Sequence, residues 1–139
     1  MALRVLRAAT GGALLLTGLV AAAPLQGGAR PTLAALAMIA HGEWQLRERD
    51  PNAQARRLCL NDPATLIQLQ HSGEQCSQFV VENSRLKATV HYTCAGHGYG
   101  RTTVSVETPR LFRIESQGIR DGLPFALDME ARRIGDCAR

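Results

Sequence analysis

Four cysteines, four histidines and a scatter of serines and carboxylates are the side chains of this 139-residue chain that can do chemistry. Cys59, Cys76, Cys94 and Cys137 follow one another at spacings of 17, 18 and 43 residues. A structural zinc site or a redox dithiol wants close pairs such as CxxC, and none is present. An even cysteine count in a small exported chain reads instead as two disulfides. His41, His71, His91 and His97 are dispersed, with no HxxxH pair, so neither a metal nor another cofactor is expected. His97 lies in the loop Gly96-His97-Gly98-Tyr99-Gly100 and is the best-placed acid/base residue. The sequence supplies it with no partner acid or nucleophile. Ser72, Ser77, Ser84, Ser105 and Ser116 lack a GxSxG context. No catalytic residue is assigned.

The first segment explains why the cysteines should be oxidised. Arg4 and Arg7 form a positive start, 8–23 carries no charge, and Ala21, Ala22 and Ala23 close it. That order is a secretory signal, with cleavage expected after Ala22. The stretch is short and rich in Gly and Ala for a spanning helix, so no membrane span is expected after cleavage. Losing Arg4 and Arg7 lowers the formal charge from +4 to +2. No concentrated basic face remains, so no nucleic-acid partner is expected. The chain divides into a signal at 1–22, a linker or tether at 23–41, and one disulfide-bonded β domain at 42–139. Within the tether, 32–40 can also form a helical turn.

Apolar alternation, the mark of a half-buried strand, recurs in five segments. They are 77–82 (Phe79, Val81), 86–94 (Ala88, Val90, Tyr92), 101–107 (Thr102, Val104, Val106), 111–117 (Phe112, Ile114, Ser116) and 123–133 (Phe125, Leu127, Met129, Ala131). Asp121-Gly122, Thr108-Pro109-Arg110, the glycine loop and Ser84-Arg85 supply the turns. Centring each hairpin on its turn gives one row of Phe79, Val90, Val104, Ile114 and Met129, and a second of Val81, Ala88, Val106, Phe112 and Ala131. The opposite face carries Thr89, His91, Thr103, Ser105, Arg113, Glu115, Asp128, Glu130 and Arg132, with Arg113 facing Glu130. A further strand is expected at 43–49, with Trp44 and Leu46 on one side. Asp62 caps a short helix that starts at Pro63, buries Leu66, Ile67 and Leu69, and ends at Gly73. The predicted fold is mainly β: a single antiparallel meander of five to six strands with one short helix and two disulfides.

This layout sets Cys76 and Cys94 at one end of neighbouring strands and Cys137 beyond the other end of the last strand. The expected pairs are Cys76–Cys94 and Cys59–Cys137; the sequential pairing Cys59–Cys76 with Cys94–Cys137 is the alternative. Chain entropy gives about 3 kcal/mol for the short loop and about 4.5 kcal/mol for the long one.

Gly42-Glu43-Trp44, Cys59-Leu60-Asn61-Asp62-Pro63, Cys76, Tyr92-Thr93-Cys94-Ala95-Gly96 and Arg133-Ile134-Gly135-Asp136-Cys137 together resemble the bacterial domain of unknown function 3617 family. The chain departs from it at Leu60-Asn61-Asp62-Pro63, where members often carry Thr-Pro-Glu after the cysteine. The resemblance implies export to the periplasm and implies no activity.

Phe79, Val90, Tyr92, Val104, Ile114 and Met129, with Arg133 at the rim, form the expected ligand face. A single short helix barely covers it, and Arg133 is placed either to anchor an anionic headgroup or to pair with Asp136. The expected role is a periplasmic, non-enzymatic module that binds a protein partner or a small apolar ligand. An envelope structural or stress protein and an unrecognised hydrolase are the alternatives.

Overall fold

In the computed structural model, residues 31–50 and 52–138 are described, so the signal at 1–22 lies outside them. Seven strands form one antiparallel sheet: β1 (Gly42–Glu48), β2 (Arg56–Leu60), β3 (Cys76–Asn83), β4 (Lys87–Cys94), β5 (Gly98–Thr108), β6 (Leu111–Arg120) and β7 (Leu123–Gly135). Their spatial order is β2-β1-β7-β6-β5-β4-β3. Strands β3 to β7 are thus the expected meander, and β1 docks on the free side of β7. Strand β2, not foreseen, adds a short edge.

Two hairpins keep the predicted register. Ile114 faces Met129 and Phe112 faces Ala131 across β6–β7. Val104 faces Ile114 and Val106 faces Phe112 across β5–β6. Asp121 and Gly122 take φ of 49° and 82°, the pair of positive values a two-residue hairpin turn needs.

The other two hairpins differ from the reading. Ala88 faces Val104 and Val90 faces Thr102, a shift of two residues that preserves the face. The cause lies in the glycine loop: Gly98 and Gly100 belong to β5, and a Cβ on Gly100 would stand 2.4 Å from the Tyr92 hydroxyl. Glycine there lets the phenol lie flat across the strand. On β3 the slip is one residue. Cys76 lies directly opposite Cys94 and Phe79 opposite His91. A one-residue slip exchanges faces, so Phe79 and Val81 point outwards, 71% and 48% exposed; Phe79 leaves the expected ligand face and Val81 the second inward row. The register shift between Val80 and Glu82 absorbs the mismatch towards the turn.

Both expected disulfides are present, Cys59–Cys137 and Cys76–Cys94, with Cα atoms 5.4 and 4.2 Å apart. The helical region Pro63–His71 is 3₁₀ and broken at Gln68, whose φ and ψ are not helical. Asp62 caps it as expected, its carboxylate accepting from the Ala64 N–H at 2.9 Å. The segment before β1 is not a tether along its whole length. A 3₁₀ turn, Leu36–Met38, follows buried Leu33 and Ala35 and precedes buried Ile39. Leu66 and Ile67 from the longer 3₁₀ segment, and Leu60 from β2, complete the cover. Trp44 and Phe112, 4.7 Å apart between ring centroids, anchor its β1 end.

Candidate functional site

The expected ligand face is the inner face of the sheet. Val90, Val104 and Ile114 are fully buried, Met129 is 1% exposed and Tyr92 2%. All belong to one packed core with the residues of the two 3₁₀ segments. The inner face is therefore a sealed side-chain core and not an open ligand surface. Arg133 is spent as well: its Nε donates to the His41 carbonyl at 2.8 Å and its Nη2 meets the Asp136 carboxylate. It fastens the last strand to the chain entering β1, so the Arg133 guanidinium is engaged within the protein.

Inside this core lies a polar chain that the sequence did not show. His71, 2% exposed, has Nδ1 3.2 Å from the Tyr92 hydroxyl and Nε2 3.1 Å from the His97 carbonyl. A carbonyl only accepts, so Nε2 carries a hydrogen and donates it, while Nδ1 faces the phenol. Thr102 and Ser116, facing each other across β5–β6, share a 2.7 Å bond. Burial pushes the Tyr92 phenol above its ordinary value near 10; interactions with the Ser116 and Thr102 hydroxyls work in the opposite direction. Among the described residues every buried side-chain hydroxyl has a partner, as buried polar groups require. These residues lie at positions 71, 92, 102 and 116, and no local motif announces them.

His97 has the acids that the sequence could not supply. Its Nε2 lies 3.4 Å from Glu74 and its Nδ1 3.2 Å from Asp121. Its backbone carbonyl also accepts from the Asp121 N–H at 2.9 Å. One residue thus ties the end of the 3₁₀ segment, the β4–β5 turn and the β6–β7 turn together. No hydroxyl or thiol is among its partners. Among the described residues no group of three or more His, Cys, Asp or Glu side chains could hold a metal ion.

Two surfaces remain open. One is the β3 edge, whose outer side faces no strand. Its one acid, Glu82, is held by Lys87 at 3.3 Å, which leaves Phe79 and Val81 as its exposed apolar side chains. The opposite edge, β2, exposes Arg56 and Arg57 instead. The other surface is the outer face. Glu115 stands opposite Asp128, which forms ion pairs with Arg49 at 3.3 Å and Arg113 at 3.9 Å, its Oδ1 buried without a hydrogen bond. Beside them opens a groove of about 460 Å³ lined by His91, Tyr99, Arg101, Gln117, Ile119 and Ala126, among others.

Fold and surfaces define a disulfide-fastened, single-sheet β protein with a sealed core. The chain matches no family model, and neither a curated protein nor a solved structure is similar to it.

Proposed function

We propose that this is an exported module that binds a protein partner, which adds an extended segment to the β3 edge. The observation that carries the reading is the contrast between the two edges. Native sheets blunt open edges with charge, as Arg56 and Arg57 do on β2. Strand β3 offers Phe79, 71% exposed, and Val81 beside an unpaired backbone. Strand addition draws affinity from main-chain hydrogen bonds and specificity from alternate side chains, and this edge provides both. Residues 32–34 meet the strand only at its last residue, where Asn83 bonds to the Thr32 carbonyl and the Ala34 N–H.

Export is part of the same reading. The signal-like start, the two disulfides and the resemblance to the domain of unknown function 3617 family support the periplasm as its compartment. Among the described residues no helix is long and apolar enough to cross a membrane.

The test uses a photoreactive residue at Ser77 on β3 and, separately, at Arg57 on β2, in living cells. Capture is expected at Ser77 alone. The captured protein, once purified, should slow amide exchange in β3 and bind the Phe79→Asp variant at least about tenfold more weakly. No capture at Ser77, or a partner that leaves β3 amides unprotected, would refute the reading.

A further inference from the structure

We propose that the outer face of the sheet carries a binding groove for a small carboxylate with an apolar tail, of the medium-chain fatty acid type. Phe79 faces His91, His91 faces Arg101, Arg101 faces Gln117 and Gln117 faces Ala126, so one row crosses five strands. Three consecutive members of that row, His91, Arg101 and Gln117, offer N–H donors. The row holds no carboxylate. Neither does the next one, in which Ser77, Thr93, Tyr99, Ile119 and Pro124 lie abreast.

Arg101 makes no hydrogen bond and no ion pair among the described residues, although ion pairs engage Arg49, Arg57, Arg113, Arg120, Arg132 and Arg133 elsewhere. Its guanidinium is thus available to an incoming oxyanion, which it can hold bidentately. The apolar side of the groove comes from Tyr99, Ile119 and the Ala126 methyl. A volume of about 460 Å³ falls within the range of small-molecule sites. The groove spans four strands, roughly 14 Å at the usual strand spacing.

Two acids bound the site on the far side. Glu115 and Asp128 line the adjoining hollow with Arg101 and Gln117. Asp128 is already paired with Arg49 and Arg113, so Glu115 is the acid left to compete for Arg101. That arrangement places the carboxylate head between His91, Arg101 and Gln117 and directs the tail along Tyr99 and Ile119, away from Glu115.

Decanoate, 1-decanol and acetate, titrated against the purified mature protein, test this by calorimetry and by amide shift mapping. Decanoate should bind, acetate should not, and decanol should bind at least about tenfold more weakly than decanoate, because it lacks the charge-assisted bonds. Decanoate should move the amides of Tyr99, Arg101, Gln117 and Ile119 and leave those of Val80 and Val81 in place, which separates this groove from the β3 edge. Arg101→Gln should weaken decanoate about tenfold or more; Glu115→Gln should tighten it; Arg110→Gln, an exposed arginine on a distant turn, should leave it unchanged. All three positions are exposed, and an unchanged unfolding midpoint verifies that each variant folds. Equal affinities for decanoate and decanol, indifference to Arg101→Gln, or no binding at all would overturn the proposal.

Discussion

Tyr92, 2% exposed, buries a phenol on the apolar inner face of the sheet. Its hydroxyl serves His71 on one side and Thr102 and Ser116 on the other. Tyr92→Phe keeps the ring over Gly100 but leaves buried His71 Nδ1 without its hydrogen-bond partner, at a cost of about 1–3 kcal/mol in urea unfolding. The titration adds a signature that packing alone would not give. The folded phenol ionises above the unfolded value near 10, so the native state holds its proton where the unfolded chain has released it. Stability from this group is whole below pH 10 and is lost as pH rises through the folded value. In a Tyr99→Phe background, phenolate absorbance should therefore rise late and together with unfolding; titration near the free value without loss of structure would contradict the burial. The alternation of 86–94 made the inward direction of Tyr92 legible from sequence. Its partners were not legible, because His71 reaches it from another element and polar chains of this kind have no spacing rule.

At the scale of the element, strand existence was readable and register only partly so. Turns with one geometric solution, Asp121-Gly122 and Pro109, fixed β5, β6 and β7 in place. The glycine loop misled because Gly98 and Gly100 look like loop residues but serve as strand residues beneath Tyr92 and beside Ile119. Strand β2 escaped notice because Arg56 and Arg57 break any apolar rhythm in so short an edge. Strand β3 is the instructive case. Gln78-Phe79-Val80-Val81 can present either Phe79 and Val81 or Val80 inwards, and hydrophobicity favours the first. The Cys76–Cys94 bond imposes the second, since it demands that the two cysteines stand opposite each other. A Cys76→Ala/Cys94→Ala variant should lose about 3 kcal/mol in denaturant unfolding. Amide exchange should rise selectively in β3 while β6 and β7 keep their protection. If β3 stays as protected as in the parent protein, pairing alone sets its register and the disulfide is not what turns Phe79 outwards.

For the molecule as a whole, the decisive fact is that a one-sheet protein has a closed core. A sheet with a single dry face needs a second layer, and here that layer is assembled from irregular pieces. Leu33, Ala35, Leu36 and Ile39 come from the N-terminal side, Leu60 from β2, and Leu66 and Ile67 from the 3₁₀ segment. None follows the 3.6-residue period of a helix, which is why an Ala-rich run before β1 reads as a tether and the inner face reads as open. The disulfides work at opposite ends of this arrangement: Cys59–Cys137 closes β2 against the C-terminal tail, and Cys76–Cys94 closes β3 against β4. Lifting that cover should bare the apolar inner face to solvent. Leu36, 6% exposed, is the place to lift it. Leu36→Ala should cost about 2–5 kcal/mol, read as a fall in the urea midpoint. Leu36→Asp should detach the first 3₁₀ turn and expose Val104 and its neighbours, so that an apolar fluorescent dye binds below the unfolding transition. The parent protein should not bind the dye there. If Leu36→Asp remains dark to the dye while its midpoint falls, the remaining layer closes over the gap, and the N-terminal cover adds stability without being the seal.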